Sequence, residues 1–419
     1  MLSVHEALQV IRDTVTPSPP RTLSLTDAWG TVLAQDIVSR EDSPPFDKSM
    51  MDGYAVRKED ISAEETTLEV VDEVTAGNVS QTRLTAGQAI RIMTGAPIPA
   101  GADAVVPIEW TESTNSASVL IRPQRSVHSG LNIIPRGQAM KQGETVLGAG
   151  RTIRAQELAL LSELGCAEID VRPRPVIAVL ATGDELVPVD QTPGPGQIRN
   201  SNGLMLSAQV EQAGGIPKFL GIARDERSDL RQKIESGLEA DFLCLSGGVS
   251  AGKLDLVPSE LAAAGVRQVF HKIQMKPGKP IWFGILERSS LSPCYVFGLP
   301  GNPVSSMVCF ELFVRDALRR WQGMDSKSLL PMRAVLRSEF RYASDRPVYW
   351  PAHLAELNGQ LVVHPVNWKG SSDLRSVADA NCSVVLPPAE ATLPAGSLLE
   401  ILPWGLTMGT MDQFTPHFG

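Results

Sequence analysis

Residues 295–314 read YVFGLPGNPVSSMVCFELFV, an apolar run of strand type joined to an apolar run of helix type. The six residues of the joint, 298–303, hold two glycines and two prolines. A plain turn is shorter and more polar. Glycine lets another group approach the backbone closely, and proline fixes the path of the chain. The segment therefore predicts a strand-to-helix loop shaped around a ligand, and the N–H groups at the start of the following helix suit an anion.

Working outward, residues 173–323 alternate short apolar runs with helical stretches. VIAVLA, FLGIA, DFLCLS, IWFGIL and CYVFGL are separated by NGLMLSAQVEQAGG, SDLRQKIESGLEA and LDLVPSELAAAG. That alternation predicts a three-layer α/β domain whose mixed, mainly parallel sheet is covered on both faces. Ligands of such sheets bind beyond the carboxyl ends of the strands. The unusual residues gather there: ATGDEL, RDE, SGGVSAGKLD and GLPGNP each follow an apolar run.

Each of these loops has two readings. Gly247 and Gly248 can turn backbone N–H groups toward an anion or simply make a tight turn. Lys276 and Lys279, around a Pro-Gly pair in HKIQMKPGKPIWFG, make either a compact anion clamp or two solvated turn lysines. Glu185, Asp225 and Asp255 suit Mg²⁺, which is held by one or two carboxylates plus phosphates and water, or they cap helices. Asp52 in SPPFDKSMMDGYAVR and Thr94 in IRIMTGAPIPAGADAVV stand beside strand ends, where a turn competes with a ligand contact.

At 419 residues the chain exceeds one ordinary hydrophobic core. We divide it into residues 1–40 with 142–172, a discontinuous helical and linker domain; 41–141, a β-rich insert; 173–323, the α/β domain; and 324–419, a small C-terminal β-barrel. With 43% hydrophobic and 20% charged residues, the composition is that of a folded globular protein. Net charge is −9 with no Lys/Arg run, which argues against a nucleic-acid-tracking surface. No apolar stretch is long enough to span a bilayer, and the start, MLSVHEALQVIRDTV, reads as an amphipathic helix of a cytoplasmic protein rather than a signal peptide. The five cysteines are widely spaced with no C-x-x-C pair, the pattern of buried reduced thiols.

Taken in order, FDKSMMDGYAV, RIMTGAPIP, TGDEL, SGGVSAG, KPGKP and GLPGNPVS closely resemble the molybdopterin molybdotransferases, the family of the bacterial MoeA proteins and the gephyrin E domain. The resemblance covers nearly the whole chain. It implies a homodimer of four-domain subunits whose third domain is similar to molybdopterin-binding proteins. It also implies a reaction: molybdenum from molybdate is inserted into adenylylated molybdopterin with release of AMP, assisted by Mg²⁺. The molybdopterin adenylyltransferase and apo-molybdoenzymes are the partners it suggests.

Carried over by motif, Asp52 and Thr94 would come from the partner's insert, with Glu185, Asp225 and Asp255 as further catalytic carboxylates and Glu185 and Asp225 as metal ligands. Gly247, Gly248 and Ser250 would contact the pterin phosphate, Lys276 and Lys279 would hold molybdate or phosphates, and Pro300, Gly301 and Asn302 would shape the floor. Ser371 in WKGSS, with Arg346, would extend the oxyanion site. Two departures stand out. NIIPRGQAM keeps Arg136 and Gly137 of a family RRRGED-like tract but has Gln138 and Ala139 for its acids, and RNSN has Asn200 where a YDTN-like stretch has aspartate. The lost acids motivate a rival expectation, a paralogue that binds and delivers molybdopterin or finished cofactor without inserting the metal.

Overall fold

The computed structural model describes residues 1–115, 117–249, 256–289, 292–324 and 332–405. The expected contacts Ser250 and Asp255 lie outside the described residues. The chain forms two compact units: Met1–Ala34, Gly150–Leu158 and Ala167–Gly419 make the first, and Gln35–Ala149 and Ala159–Cys166 the second.

The first unit is built on a six-stranded sheet of β1 (Val176–Thr182), β2 (Ile216–Ala223), β3 (Phe242–Ser246), β4 (Arg267–His271), β5 (Trp282–Leu286) and β6 (Cys294–Leu299), in the order β2-β1-β3-β6-β5-β4. β2, β1, β3 and β6 are parallel; β5 runs antiparallel to β6, and β4 antiparallel to β5. Every residue of β3 and β6 is buried, because both faces are covered, and this is why those strands read as unbroken apolar runs. Ile177, Val179, Phe242, Cys244, Tyr295 and Phe297 pack on one face with Leu206, Val210, Val304 and Val308 from the helices Asn202–Gln212 and Pro303–Cys309. Ala178, Leu180, Leu243, Leu245 and Val296 pack on the other, with Leu230 and Ile234 from Arg227–Gly237 and Leu261 from Val257–Ala263.

β4 was not anticipated from the sequence. Its residues, RQVFH, are mostly half-buried or exposed, as befits an edge strand, so they show no apolar run. The N-terminal helix Val4–Thr14 starts with a capping box between Ser3 and Glu6 and puts Ala7 and Ile11 into the first face of the α/β core. Arg12 fastens it there through two hydrogen bonds to Asp316, at 2.8 and 2.9 Å.

The C-terminal segment closes a five-stranded barrel, in the order Met332–Leu336, Gln360–Pro365, Val348–Leu357, Cys382–Leu386, Leu398–Pro403. The second unit contains a six-stranded sheet of Ala104–Pro107, Gly53–Val56, Gln88–Ile92, Thr66–Val74, Ser118–Ile121 and Thr111–Asn115. Thr66–Val74, Gln88–Ile92, Ala104–Pro107 and Ser118–Ile121 carry the apolar runs of the insert, whereas Thr111–Asn115, TESTN, has no apolar residue. Among the described residues, no helix is long and apolar enough to cross a membrane. Cys244, Cys294, Cys309 and Cys382 are buried free thiols and Cys166 is half-buried. Burial pushes the Cys294 and Cys382 thiols up to about 12, which leaves them protonated and poor nucleophiles at neutral pH.

Candidate functional site

The register aligns the strand ends. Ala181 pairs with Ser246, and Ser246 with Leu299, so the loops after β1, β3 and β6 leave the sheet side by side. Trp282 pairs with Gly298, which brings the Lys-Pro-Gly-Lys segment, just ahead of β5, to the same edge. There the loops enclose a cavity of about 710 Å³, with Glu185, Asp225, Gly247, Gly248, Pro300 and Gly301 in its walls.

Gly247 is required by the backbone. Its φ is +99°, and a Cβ there would come 2.6 Å from the Thr182 carbonyl oxygen. Its N–H donates to Leu299 O at 3.1 Å, so the loop after β3 leans on the loop after β6. Asn302 occupies the N-cap position of Pro303–Cys309 without capping it. Its side chain instead donates to Ser371 Oγ at 2.9 Å, while Val304 N donates to Ser371 O. Ser371 is thus a support for the loop floor, and its neighbour Ser372 lines the cavity. Pro300 O accepts from the Ser306 hydroxyl.

The acidic wall is stitched in the same way. Asp225 N donates to Asp184 Oδ1 at 3.0 Å and Gly183 N to Ala223 O, joining the loops after β1 and β2, and this puts Glu185 and Asp225 on one cavity. Beyond Asp225, Arg224 N donates to Asp229 Oδ2 at 2.8 Å, a bond that lowers the carboxyl pKa of Asp229 and secures the loop.

Lys276 and Lys279 are exposed on either side of the buried Pro277 and Gly278. Pro280 lines the cavity, but the lining does not reach either lysine. Lys276 N donates to Pro347 O, beside Arg346, whose guanidinium pairs with Asp345 at 3.0 Å. Asp52 and Thr94 belong to the second unit, where they bond each other. Arg136 pairs with Asp42 at 2.6 Å.

Asn200 accepts from Gly203 N at 3.0 Å, inside the first turn of Asn202–Gln212, so the amide in place of the family's acid serves the helix start. Sequence reasoning missed Asn202. It lines the cavity, and its Nδ2 donates to Ser246 Oγ at 2.6 Å and to Gly301 O at 2.7 Å. In the sequence it is the last residue of RNSN, matching the asparagine of the family's YDTN-like stretch, and taken alone it reads as an ordinary polar residue at a helix start.

Comparison with known proteins gives a consistent picture along the chain. Residues 2–165 match the MoeA N-terminal region (domain I and II), 178–320 a probable molybdopterin binding domain, and 333–404 the MoeA C-terminal region (domain IV). A molybdopterin molybdenumtransferase of Bacillus subtilis is 34% identical over 386 residues, 91% of this chain and 89% of its own. One of Staphylococcus aureus is 33% identical over 409 residues, 96% and 95% of the two chains. A crystal structure of the molybdopterin biosynthesis MoeA protein from Pyrococcus horikoshii superposes with a TM-score of 0.79 at 30% identity, covering 96% of this chain and 100% of that one.

Proposed function

The chain belongs to the molybdopterin molybdenumtransferase family, MoeA, and from that membership we propose that it takes adenylylated molybdopterin and molybdate, inserts molybdenum and releases AMP. The observation that carries the reading is the joining of two glycine loops and an acidic wall around one cavity. Gly247 leans on Leu299, and Asp184 holds the Asp225 loop beside Glu185. Glycine loops and carboxylates then line one cavity, the combination suited to holding an anion together with its cation.

Substrate phosphate binds against Gly247, Gly248 and the floor formed by Pro300, Gly301 and Asn302. Glu185 and Asp225 fit Mg²⁺, which needs only one or two protein carboxylates when phosphates and waters complete its shell. Among the described residues, no group of three His, Cys, Asp or Glu side chains offers an all-protein cage instead. When bound, the cation would neutralise diphosphate charge. A cavity carboxylate orients the water that cleaves the anhydride, and Lys276 and Lys279 hold molybdate by charge.

The reading extends to a cytoplasmic homodimer in which Asp52 and Thr94 of one subunit complete the cavity of the other, with the chain divided into four domains as in the sequence analysis. It also takes in exchange with the molybdopterin adenylyltransferase and apo-molybdoenzymes. The carrier alternative is not favoured, since the relatives bear the name of the transferase. Incubating the purified protein with adenylylated molybdopterin, Mg²⁺ and molybdate tests the proposal. AMP and cofactor should appear together with a saturable dependence on molybdate, and delivery of cofactor without that dependence would establish a carrier.

A further inference from the structure

Every backbone carbonyl from Leu299 to Asn302, along the floor of the cavity, is already taken. Leu299 O accepts from Gly247 N at 3.1 Å and Asn302 O from Ser306 N at 3.0 Å. Pro300 O accepts from the Ser306 hydroxyl, and Gly301 O from Asn202 Nδ2 at 2.7 Å. In the peptides that these carbonyls begin, Pro300 and Pro303 have no N–H to give. Gly301 and Asn302 do have one, and neither amide has a partner among the described residues. The hydrogen-bonding capacity left in the loop backbone is therefore a pair of donors.

The direction of those donors follows from the planarity of the peptide. A trans peptide points its C=O and its N–H to opposite sides, and the cis bonds of the described residues are elsewhere, at Ser43-Pro44 and Lys276-Pro277. Ser306 is 0% and Asn202 8% exposed, so both draw their carbonyls inward. The amides of Gly301 and Asn302 then turn outward, on two exposed residues that line the cavity. A carbonyl can only accept, so it is the amide nitrogen of Asn202 that faces Gly301, and its second N–H goes to Ser246 Oγ at 2.6 Å.

We propose that Ser306 and Asn202 are positioning residues that set the polarity of this floor. By holding two carbonyls inward they present the consecutive amides of Gly301 and Asn302 as donors to an oxygen of the substrate's phosphate, the arrangement in which successive N–H groups form an anion-binding concavity. The inference rests on the phosphate-binding part of the function proposed above and adds the two side chains that orient the loop. Without its buried donor a peptide can rotate and set a carbonyl oxygen against the anion, so each donor protects the loop from the wrong sign of charge.

The test uses the full chain, labelled for amide NMR, with inorganic pyrophosphate as the probe. In the wild type, titration should move the amide protons of Gly301 and Asn302 downfield. Ser306→Ala should abolish the shift at Gly301 and Asn202→Ala the shift at Asn302, each with about a tenfold loss of pyrophosphate affinity in calorimetry. A merely structural role would lower the melting temperature and leave both shifts in place. The wild-type titration does not depend on either variant folding. If pyrophosphate binds the wild type and neither amide proton moves, the proposal is overturned while phosphate binding stands. Shifts and affinity that survive both substitutions overturn it as well. Failure of the wild type to bind pyrophosphate at all would overturn the phosphate reading along with it.

Discussion

Asp52 Oδ1 accepts both the backbone N–H and the hydroxyl of Thr94, each at 2.7 Å, across 42 residues of sequence. The pair locks the loop after Gln88–Ile92 to the turn that precedes Gly53–Val56. The Thr94 amide, then its hydroxyl, favour the ionised carboxylate and lower its pKa. A depressed carboxyl pKa stabilises the fold above the unfolded value near 3.9, and that contribution disappears as pH falls through the lower folded value. Hydrogen exchange at the Thr94 amide should therefore stay slow at neutral pH and quicken only below the ordinary carboxylate range. Asp52→Ala should make it fast at every pH while the strands Gln88–Ile92 and Ala104–Pro107 keep their protection.

Glu185 is exposed, and among the described residues only its backbone carbonyl is engaged, accepting from Ile198 N at 2.7 Å. Glu185→Gln should thus change unfolding free energy by less than about 0.5 kcal/mol, as surface substitutions do. If its charge serves the reaction, AMP release falls by roughly 10² or more, the usual cost of losing one preorganised electrostatic group. Denaturant unfolding and an AMP assay on the same preparation separate the two roles. A parallel loss of stability would make Glu185 a structural residue.

A methyl group tests the floor of the cavity. Among the described residues a Cβ on Gly301 would meet only Gly247 Cα, at 3.6 Å, an ordinary contact, whereas one on Gly247 would collide with the Thr182 carbonyl. Gly301→Ala should retain the melting temperature yet weaken substrate binding by filling the space between the loops. Gly247→Ala should lower stability by about 1–3 kcal/mol through backbone strain. Thermal melts and titration with adenylylated molybdopterin distinguish them.

Replacing Lys276 and Lys279 together by Met removes two exposed charges without shortening the stems. Each charge-assisted hydrogen bond to an oxyanion contributes about 1.5–3 kcal/mol, so half-saturation by molybdate should rise at least tenfold. Binding of adenylylated molybdopterin should persist through the glycine loops. Molybdate titrations of wild type and double variant decide it, and an unchanged titration would remove the lysines from the site.

Arg12 and Asp316 join residues 304 positions apart, and the aspartate side chain is 2% exposed. Arg12→Ala leaves a buried carboxylate unpaired and should destabilise the first unit by about 3 kcal/mol in denaturant titration. Exchange in Val4–Thr14 should rise first.

Much of this protein is written locally. β1, β3, β5 and β6 are apolar runs because both faces of their sheet are covered, and the loops declared themselves through Gly247, Gly248, Pro300 and Gly301, residues chosen for backbone shape. Such signals are short-range properties of the chain, and periodicity and turn chemistry recover them. The edge strand β4 escaped because partial exposure erases the apolar pattern. The function of Asn202 escaped for a different reason. In sequence it is the last residue of RNSN, a motif position with no stated task, and what it holds depends on Ser246 and Gly301, 44 and 99 residues away. Only the parallel register brings those two strand ends together. Hydrogen-bond partners across such separations are set by the packing of sheet and helices, so tertiary structure alone decided that this side chain ties the ends of two strand loops together.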